Sequence, residues 1–227
     1  MKANTNKLLG VFLLALALTS CMSTFEPRMI GGALDPPRLP NAKEVCAGLE
    51  VSIEEYFSSH KARRAFDSDL AAHGVLPVLV HISNGSDLDY RLQRRMIHAV
   101  VDGQTLGDIH ALQAAEIGAL RNPAWNALAN TAAIGPLAMF FGWATIAGSA
   151  SQTQKINRQI EQYFERMELT ERILKSQETA TGFVFFRAPT AGRSFSQVVV
   201  EITLEPEPLA GLGTKAVNYQ FIMPIQL

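Results

Sequence analysis

The chain has 227 residues, and 20 lysines and arginines are balanced by 21 aspartates and glutamates, for a net charge of −1 at pH 7. This balance argues against a nucleic-acid-binding protein, because such proteins concentrate basic residues on one face. Two cysteines cannot build a disulfide-rich scaffold. The length suffices for one well-packed domain with an insertion.

The first element is a signal-like segment. Lys2 and Lys7 flank the start of an apolar run, Leu8 to Leu18, which is shorter than the roughly 20 residues of a membrane-spanning helix. The run ends in Leu18-Thr19-Ser20-Cys21, which resembles the lipobox of bacterial lipoprotein precursors. The resemblance implies that residues 1–20 are a signal peptide and that Cys21 is lipidated, which would anchor the protein to a membrane.

Two alternatives to the lipobox fit less well. An ordinary secretory signal needs a small residue where Leu18 stands, and an uncleaved anchor would need a longer apolar run. The residue after the cysteine is Met22 rather than an Asp that would resemble an inner-membrane retention signal. We therefore expect a cell-envelope protein facing the periplasm, with the outer membrane favoured.

Residues 21–43 are rich in proline and glycine and predict an extended tether, followed by a domain over residues 44–227. Leu49, Val51 and Ile53 alternate with polar residues, which predicts a strand, although Ser52-x-x-Glu55 could be a helix capping box. A short surface helix is predicted from Ser59 to Ala72, with a stop at His73-Gly74.

Short strands separated by turns dominate the rest of the domain. The predicted strands are Val75–Ser83, Tyr90–Leu92, Met96–Val101, Gly182–Arg187, Ser196–Glu205 and Ala216–Pro224. Asn84-Gly85-Ser86-Asp87 and Asp102-Gly103 supply turns. About seven strands, interrupted by helices, predict an α+β chain built on an immunoglobulin-like antiparallel β-sandwich.

A helical insertion is predicted at about residues 105–175. Leu106 to Arg121 and Lys155 to Lys175 have helical periodicity, and residues 122–154 between them contain no charged residue and no histidine. Its apolar centre, Ala132 to Ala150, could span a membrane, pack on the sandwich or lie at the bilayer interface, or self-associate through small residues four apart.

The lipid signal favours a packed or interface-associated insertion, because a protein bound for the outer membrane must leave the inner one. Met139, Phe140, Phe141 and Trp143 are the candidate contacts with a partner or a membrane.

No constellation of residues specifies a reaction. The five histidines lack metal-site spacing, and phosphate-loop and nucleophile-elbow motifs are absent from the sequence. We predict no enzyme activity, no metal and no cofactor, with ordinary turn chemistry favoured over a calcium site around Asn84. Cys46 is expected to be a small buried residue or an intermolecular partner. The acids and bases around Glu168 (Glu165, Glu168 and Glu171 with Arg166 and Arg172) predict a solvated helix face.

Two stretches carry a second resemblance: residues 74–90, beginning Gly74-Val75-Leu76-Pro77-Val78, and Gln177 to Phe186. They are similar to uncharacterised bacterial envelope proteins, often lipoproteins, with an immunoglobulin-like sandwich and a Gly/Ala-rich apolar insertion. The resemblance implies a non-enzymatic interaction or structural module, with another envelope protein or a second copy as partner. The alternative is a carrier or sensor that binds a lipid or other hydrophobic ligand under the insertion.

Overall fold

The computed structural model describes residues 24–28, 42–121, 138–188, 197–207 and 215–224, with the backbone alone for 138–150 and 224. The chain divides into two compact units. Pro27–Ala119 and Glu161–Leu227 form the β-unit, and Met1–Glu26 with Leu120–Ile160 form the insertion unit. Cys21, the predicted lipidation site, lies outside the described residues.

Ten strands and three α-helices are present in the described part of the chain. In chain order they are β1 Ala42–Cys46, β2 Leu49–Glu55, α1 Ser59–Phe66, β3 Val75–Asn84, β4 Tyr90–Leu92, β5 Ile97–Val101, β6 Gln104–Ile109, α2 Ala111–Gly118, α3 Ala138–Met167, β7 Arg172–Leu174, β8 Thr179–Arg187, β9 Gln197–Pro206 and β10 Val217–Pro224. Two short 3₁₀ turns, Ala71–His73 and Arg94–Met96, precede β3 and β5.

All strand pairs are antiparallel, and they form one connected path in the order β1-β2-β3-β8-β6-β5-β9-β4-β7, with β10 paired to β9. Strand β6 makes the corner, since Leu106 pairs with β5 and Gly107 pairs with β8. The α+β class is confirmed. The seven-stranded immunoglobulin-like arrangement is not confirmed by this ten-stranded path.

The inner core of the β-unit lies between two portions of this sheet. Alternate residues of β2, β3 and β8 meet alternate residues of β5, β9 and β10 there, and Val80, Val184 and Val200 are fully buried. The Tyr219 hydroxyl on β10 lies within donating distance of two carbonyl oxygens, that of Cys46 at 3.1 Å and that of Leu49 at 3.2 Å. Burial raises the pKa of Tyr219 above its ordinary value. This contact joins β10 to the β1–β2 hairpin.

An aromatic cluster covers the opposite face of β8. Phe183 and Phe185 pack against Phe66 of α1, with ring centroids 4.9 and 5.7 Å apart, and Phe164 lies 5.0 Å from Phe66. These spacings are those of favourable aromatic pairs. The Tyr163 hydroxyl donates to the Ala65 carbonyl oxygen at 2.7 Å, and burial raises the pKa of Tyr163 to about 12. Helix α1 and the last residues of α3 are thereby fixed to the sheet.

Most predicted strands are present with nearby boundaries. The Asp102-Gly103 turn has positive φ at both residues, which is the geometry of a tight two-residue hairpin. The alternating Leu49, Val51 and Ile53 lie in β2 rather than in a capped helix. The helix predicted from Ser59 to Ala72 begins at Ser59 but ends earlier, at Phe66, where Asp67 adopts a left-handed conformation.

Three sequence interpretations are wrong. Residues 106–109 belong to β6 and not to a helix, because Leu106 and Ile109 are buried as strand residues. Residues 172–174 form β7 and do not continue α3. Strand β1, at the end of the predicted tether, was missed because it exposes nearly every residue and carries no apolar alternation.

The chain passes unusually close to β8 as it leaves α3. Leu169 N–H donates to the Phe183 carbonyl oxygen at 2.9 Å, and Glu168 bridges to Phe183 in parallel. A Cβ atom on Gly182 would lie 2.4 Å from the Leu169 Cα atom. Glycine is therefore required at position 182 for this close approach.

Candidate functional site

The residues predicted to contact a partner or membrane lie in α3, where the structure gives only the backbone. Met139, Phe140, Phe141 and Trp143 all fall within its helical residues, and their side chains lie outside the described atoms. None of the described helices combines the length and apolar character needed to cross a bilayer. The described residues do show where the β-unit holds the N-terminal chain and where it holds the two ends of the insertion.

The N-terminal chain is held on α1. Arg28 N–H donates to the Arg64 carbonyl oxygen at 2.8 Å. Helix α1 begins where the Ser58 hydroxyl accepts from Lys61 N–H at 3.3 Å, and it buries Ala62, Ala65 and Phe66. Its other face is solvent-exposed and basic. We call the four exposed residues at this place the α1 basic surface: Arg28, His60, Arg63 and Arg64.

Lys61 belongs to a different group of charges. Its ammonium lies 3.2 Å from a Glu54 carboxylate oxygen and 2.9 Å from one of Glu55, and 5.7 Å from the centre of the Tyr56 ring. Burial, followed by the charge of Glu54, raises the pKa of Tyr56. Lys61 is thus neutralised locally, whereas the ion-pair partner of Arg63 among the described residues is Asp69, at 3.7 Å.

Glu168 joins the two ends of the insertion within the β-unit. Its Oε1 accepts from Ala111 N–H, the first residue of α2, at 3.0 Å and lies 2.5 Å from Arg94 Nη1. The residue before α2, His110, makes no side-chain cap. Because the first N–H groups of a helix lack intrahelical acceptors, the distant Glu168 caps α2 in its place. We call Arg94, His110 and Glu168 the insertion base.

Arg94 also lies beside His110. Arg94 Nη2 is 3.1 Å from His110 Nε2, which is within hydrogen-bond distance. His110 Nδ1 lies 3.7 Å from Glu168 Oε1. Glu171 accepts from Arg94 N–H at 3.1 Å. Arg94, whose side chain is 13% exposed, is therefore held from three sides.

The acidic residues after Tyr163 are not equivalent, which corrects the prediction of a solvated helix face. Glu165 is exposed, whereas Glu168 follows the end of α3 and binds Arg94. Sequence reasoning missed this pair because Arg94 lies 74 positions away. The one local sign of this contact is that His110, the residue before α2, supplies no capping side chain.

The insertion unit has a contact of its own. The Asn157 side chain accepts from Arg121 N–H at 2.9 Å and donates to the Arg121 carbonyl oxygen at 3.0 Å. One amide thus satisfies both backbone groups of Arg121 and fixes that residue to α3.

The oxygen-rich turn after β3 is occupied by internal hydrogen bonds. The buried Asn84 amide nitrogen donates to the carbonyl oxygens of Leu88 and Leu174 at 2.8 and 3.1 Å, and its oxygen accepts from the Ser86 hydroxyl at 2.7 Å. Asp89 accepts from Ser176 N–H at 3.1 Å. Within the described ranges, no group of three or more His, Cys, Asp or Glu side chains could hold a metal ion.

Two further sequence residues are placed by the structure. Cys46 is exposed at the end of β1, so its interpretation as a buried residue is wrong. His81 on β3 lies beside Thr181 on β8, with 2.7 Å between Nδ1 and Oγ1. Burial lowers the pKa of His81, with opposing contributions from Glu50, which raises it, and Lys43, which lowers it.

No protein-family model and no curated protein matches the chain. A crystal structure named as that of a "putative lipoprotein (ycdA)" from Bacillus subtilis aligns over 79% of this chain at 11% sequence identity, with a TM-score of 0.37. The chain covers 38% of that protein's length. These values do not establish a shared fold.

Proposed function

We propose that this protein is a non-enzymatic lipoprotein of the bacterial cell envelope, anchored through Cys21, that presents its helical insertion to another envelope protein or to a second copy of itself. The observation that carries the proposal is Leu18-Thr19-Ser20-Cys21 behind a basic start and an apolar run. Met22 favours delivery to the outer membrane with the domain in the periplasm. The immunoglobulin-like envelope proteins remain the family that the strand motifs resemble.

The insertion base supports the interaction role. Helix α2 begins at Ala111 and helix α3 ends at Met167, and Glu168, the residue after α3, accepts a hydrogen bond from Ala111 N–H within the β-unit. A segment whose two ends are fixed at one place can present an apolar surface without disturbing the β-unit. Met139, Phe140, Phe141 and Trp143 are the residues we propose to contact the partner.

The anchor is tested by metabolic palmitate labelling of the full chain and of Cys21→Ser. We expect label on the parent and none on the variant, which should also leave the membrane fraction if it is still processed. Cys46→Ser serves as the matched control, because it removes the exposed cysteine and should keep the label. Label retained by Cys21→Ser would overturn the lipoprotein proposal.

The interaction role is tested by native mass spectrometry after mild detergent extraction. We expect a multimer or a complex with a second protein, weakened by the double change Phe140→Ser/Trp143→Ser. A monomer that retains a lipid mass beyond that of the covalent anchor would instead favour the carrier function. A monomer at cellular concentration with no such additional lipid would contradict both.

A further inference from the structure

The α1 basic surface lies a short chain length from the proposed anchor. Arg28 is bonded to Arg64, and Cys21 precedes Arg28 by 28 − 21 = 7 residues. An extended chain covers at most about 3.6 Å per residue, so these residues span no more than about 25 Å. A lipidated Cys21 would therefore keep this part of the β-unit next to the bilayer.

Basic residues predominate at this place, with Asp67 at the end of α1 and Asp69 beside Arg63 as acidic neighbours. Helix α1 contains three basic residues and no acid, and Arg63 and Arg64 occupy its last turn. Lys61 is neutralised by Glu54 and Glu55. The side chain of Arg63 is 69% exposed, with Asp69 at 3.7 Å. Among the residues that the structure describes, no acid forms an ion pair with Arg28 or Arg64.

A helix of this size does not need so much positive charge for its own stability. Basic residues in a last turn interact favourably with the helix dipole, but that effect is small for exposed groups and accounts for neither Arg28 nor His60. The whole chain carries a net charge of −1, so a helix with three basic residues and no acid departs from the average of the chain. A local cationic surface beside a lipid anchor matches anionic headgroups, for which each basic residue adds to binding.

We propose that the α1 basic surface, formed by Arg28, His60, Arg63 and Arg64, docks on anionic phospholipid headgroups of the membrane that holds Cys21. This inference rests on the proposed lipid anchor. The docked contact sets the orientation of the β-unit on the membrane, with α1 at the bilayer.

The test uses the lipidated full-length protein in a Cys46→Ser background, with a fluorophore on Ser59→Cys at the exposed start of α1. The protein is reconstituted into vesicles of phosphatidylcholine alone or with one third phosphatidylglycerol, both carrying a headgroup quencher. We expect quenching in the anionic vesicles and little in the neutral ones. It should decrease in 1 M salt, where the screening length falls to about 3 Å.

Charge variants separate docking from tethering. Arg63→Gln/Arg64→Gln should lower the docking equilibrium about 30-fold, the product of two basic contacts. Arg95→Gln/Lys215→Gln removes the same charge from exposed positions elsewhere and should leave quenching unchanged. Equal quenching in both vesicle types, or an equal loss in both charge variants, would overturn the inference. A response to acidic peptide or RNA but not to anionic vesicles would also overturn it.

Palmitate labelling of the same samples keeps the two proposals distinct. Labelled protein that fails to dock would support the lipid anchor and contradict the docking surface. Unlabelled protein would remove the anchor, and docking would then be measured by adding the same vesicles to the processed protein in solution. Binding there that depends on Arg63 and Arg64 would support the surface, and its absence would overturn it.

Discussion

Strand β8 has two faces, and over residues 183–186 both are fully covered. Val184 and Phe186 point into the inner core with residues of β3, β9 and β10. Phe183 and Phe185 point the other way, to the aromatic rings of α1 and α3. The inner core is mostly aliphatic and closed by strands, whereas the outer cluster is aromatic and closed by helices.

The outer face changes character along the strand. Next to Phe183 it continues into Thr181, which pairs with His81 of β3, and His81 pairs with Ser52 of β2. The helices α1 and α3 contact the aromatic portion. The inner face stays apolar over its whole length because a second portion of the sheet lies against it. A strand covered on both sides loses the polar alternation that would otherwise separate its faces.

The sharpest way to separate these two cores is to truncate adjacent phenylalanines. Phe185 and Phe186 are both fully buried, on opposite faces. We expect Phe185→Ala and Phe186→Ala each to lower the free energy of unfolding by about 4 kcal/mol, the cost of a large cavity. Urea unfolding measures the loss.

Hydrogen exchange then localises each loss. The Phe185 variant should expose the amides of α1 and the last turns of α3 before those of β9, while the Phe186 variant should act most on β3 and β9. The same pattern of lost protection in both variants would contradict two separate cores.

The close approach at the edge of β8 is tested by glycine replacement. Gly182→Ala would place a methyl group 2.4 Å from the Leu169 Cα atom, so the backbone after α3 must move. We expect a loss of about 3 kcal/mol in unfolding free energy. Gly107→Ala is the matched control, because nothing lies within 4 Å of its Cβ position. A similar cost at both positions would show that the crossing at Gly182 is not tight.

The insertion base ties the helical side of β8 to the rest of the β-unit. Glu168→Ala removes the cap of α2 and takes the nearer of two carboxylates from the largely buried Arg94, and we expect a loss of about 2 kcal/mol in thermal or urea unfolding. Glu168→Gln keeps an acceptor for Ala111 N–H and should cost less.

Glu165→Ala is the control for this position. It lies on the exposed side of α3 and should change stability by no more than about 0.5 kcal/mol. An equal loss of stability in Glu165→Ala and Glu168→Ala would contradict the role of Glu168 in the insertion base and would favour the solvated helix face predicted from the sequence.

Much of the inner core could be predicted from the sequence, because strands with one covered face keep period-two alternation. Val198, Val200, Ile202 and Leu204 of β9 show it, and all four are fully buried. Turn residues such as Asp102-Gly103 predicted where neighbouring strands are joined as hairpins. The number of strands could not be predicted, since β1 is nearly all exposed and β6 carries two apolar residues at helix-like spacing.

The described sites were less predictable, because their contacts join residues far apart in the chain. Glu168 looked like one of several helix acids, and only the fold brings it to Arg94 and Ala111. The bond between Arg28 and Arg64 has no sequence signal either, since it uses backbone atoms. Local patterns predict the lipidation motif, whereas the surface formed by Arg28 and α1 is found only in the three-dimensional structure.

The polar part of the outer face of β8 lies beyond the aromatic cluster. Changes there have the smallest expected effect on stability. Burial lowers the pKa of His81, so below about pH 6.5 the unfolded chain binds a proton more readily than the folded one. Stability is therefore complete above that pH and is lost as the pH falls through the lower folded-state pKa.

We expect His81→Gln to flatten this acid dependence and to cost less than about 1 kcal/mol at pH 7.5 through its bond to Thr181. His98→Gln, on the exposed face of β5, is the control for loss of a histidine and should change stability little at pH 7.5. The measurement is the unfolding midpoint of the parent and of each variant between pH 5 and 8. If stability depended on pH equally in His81→Gln and in the parent, this part of β8 would be as exposed to water as any surface strand. Burial of the outer face would then end at Phe183.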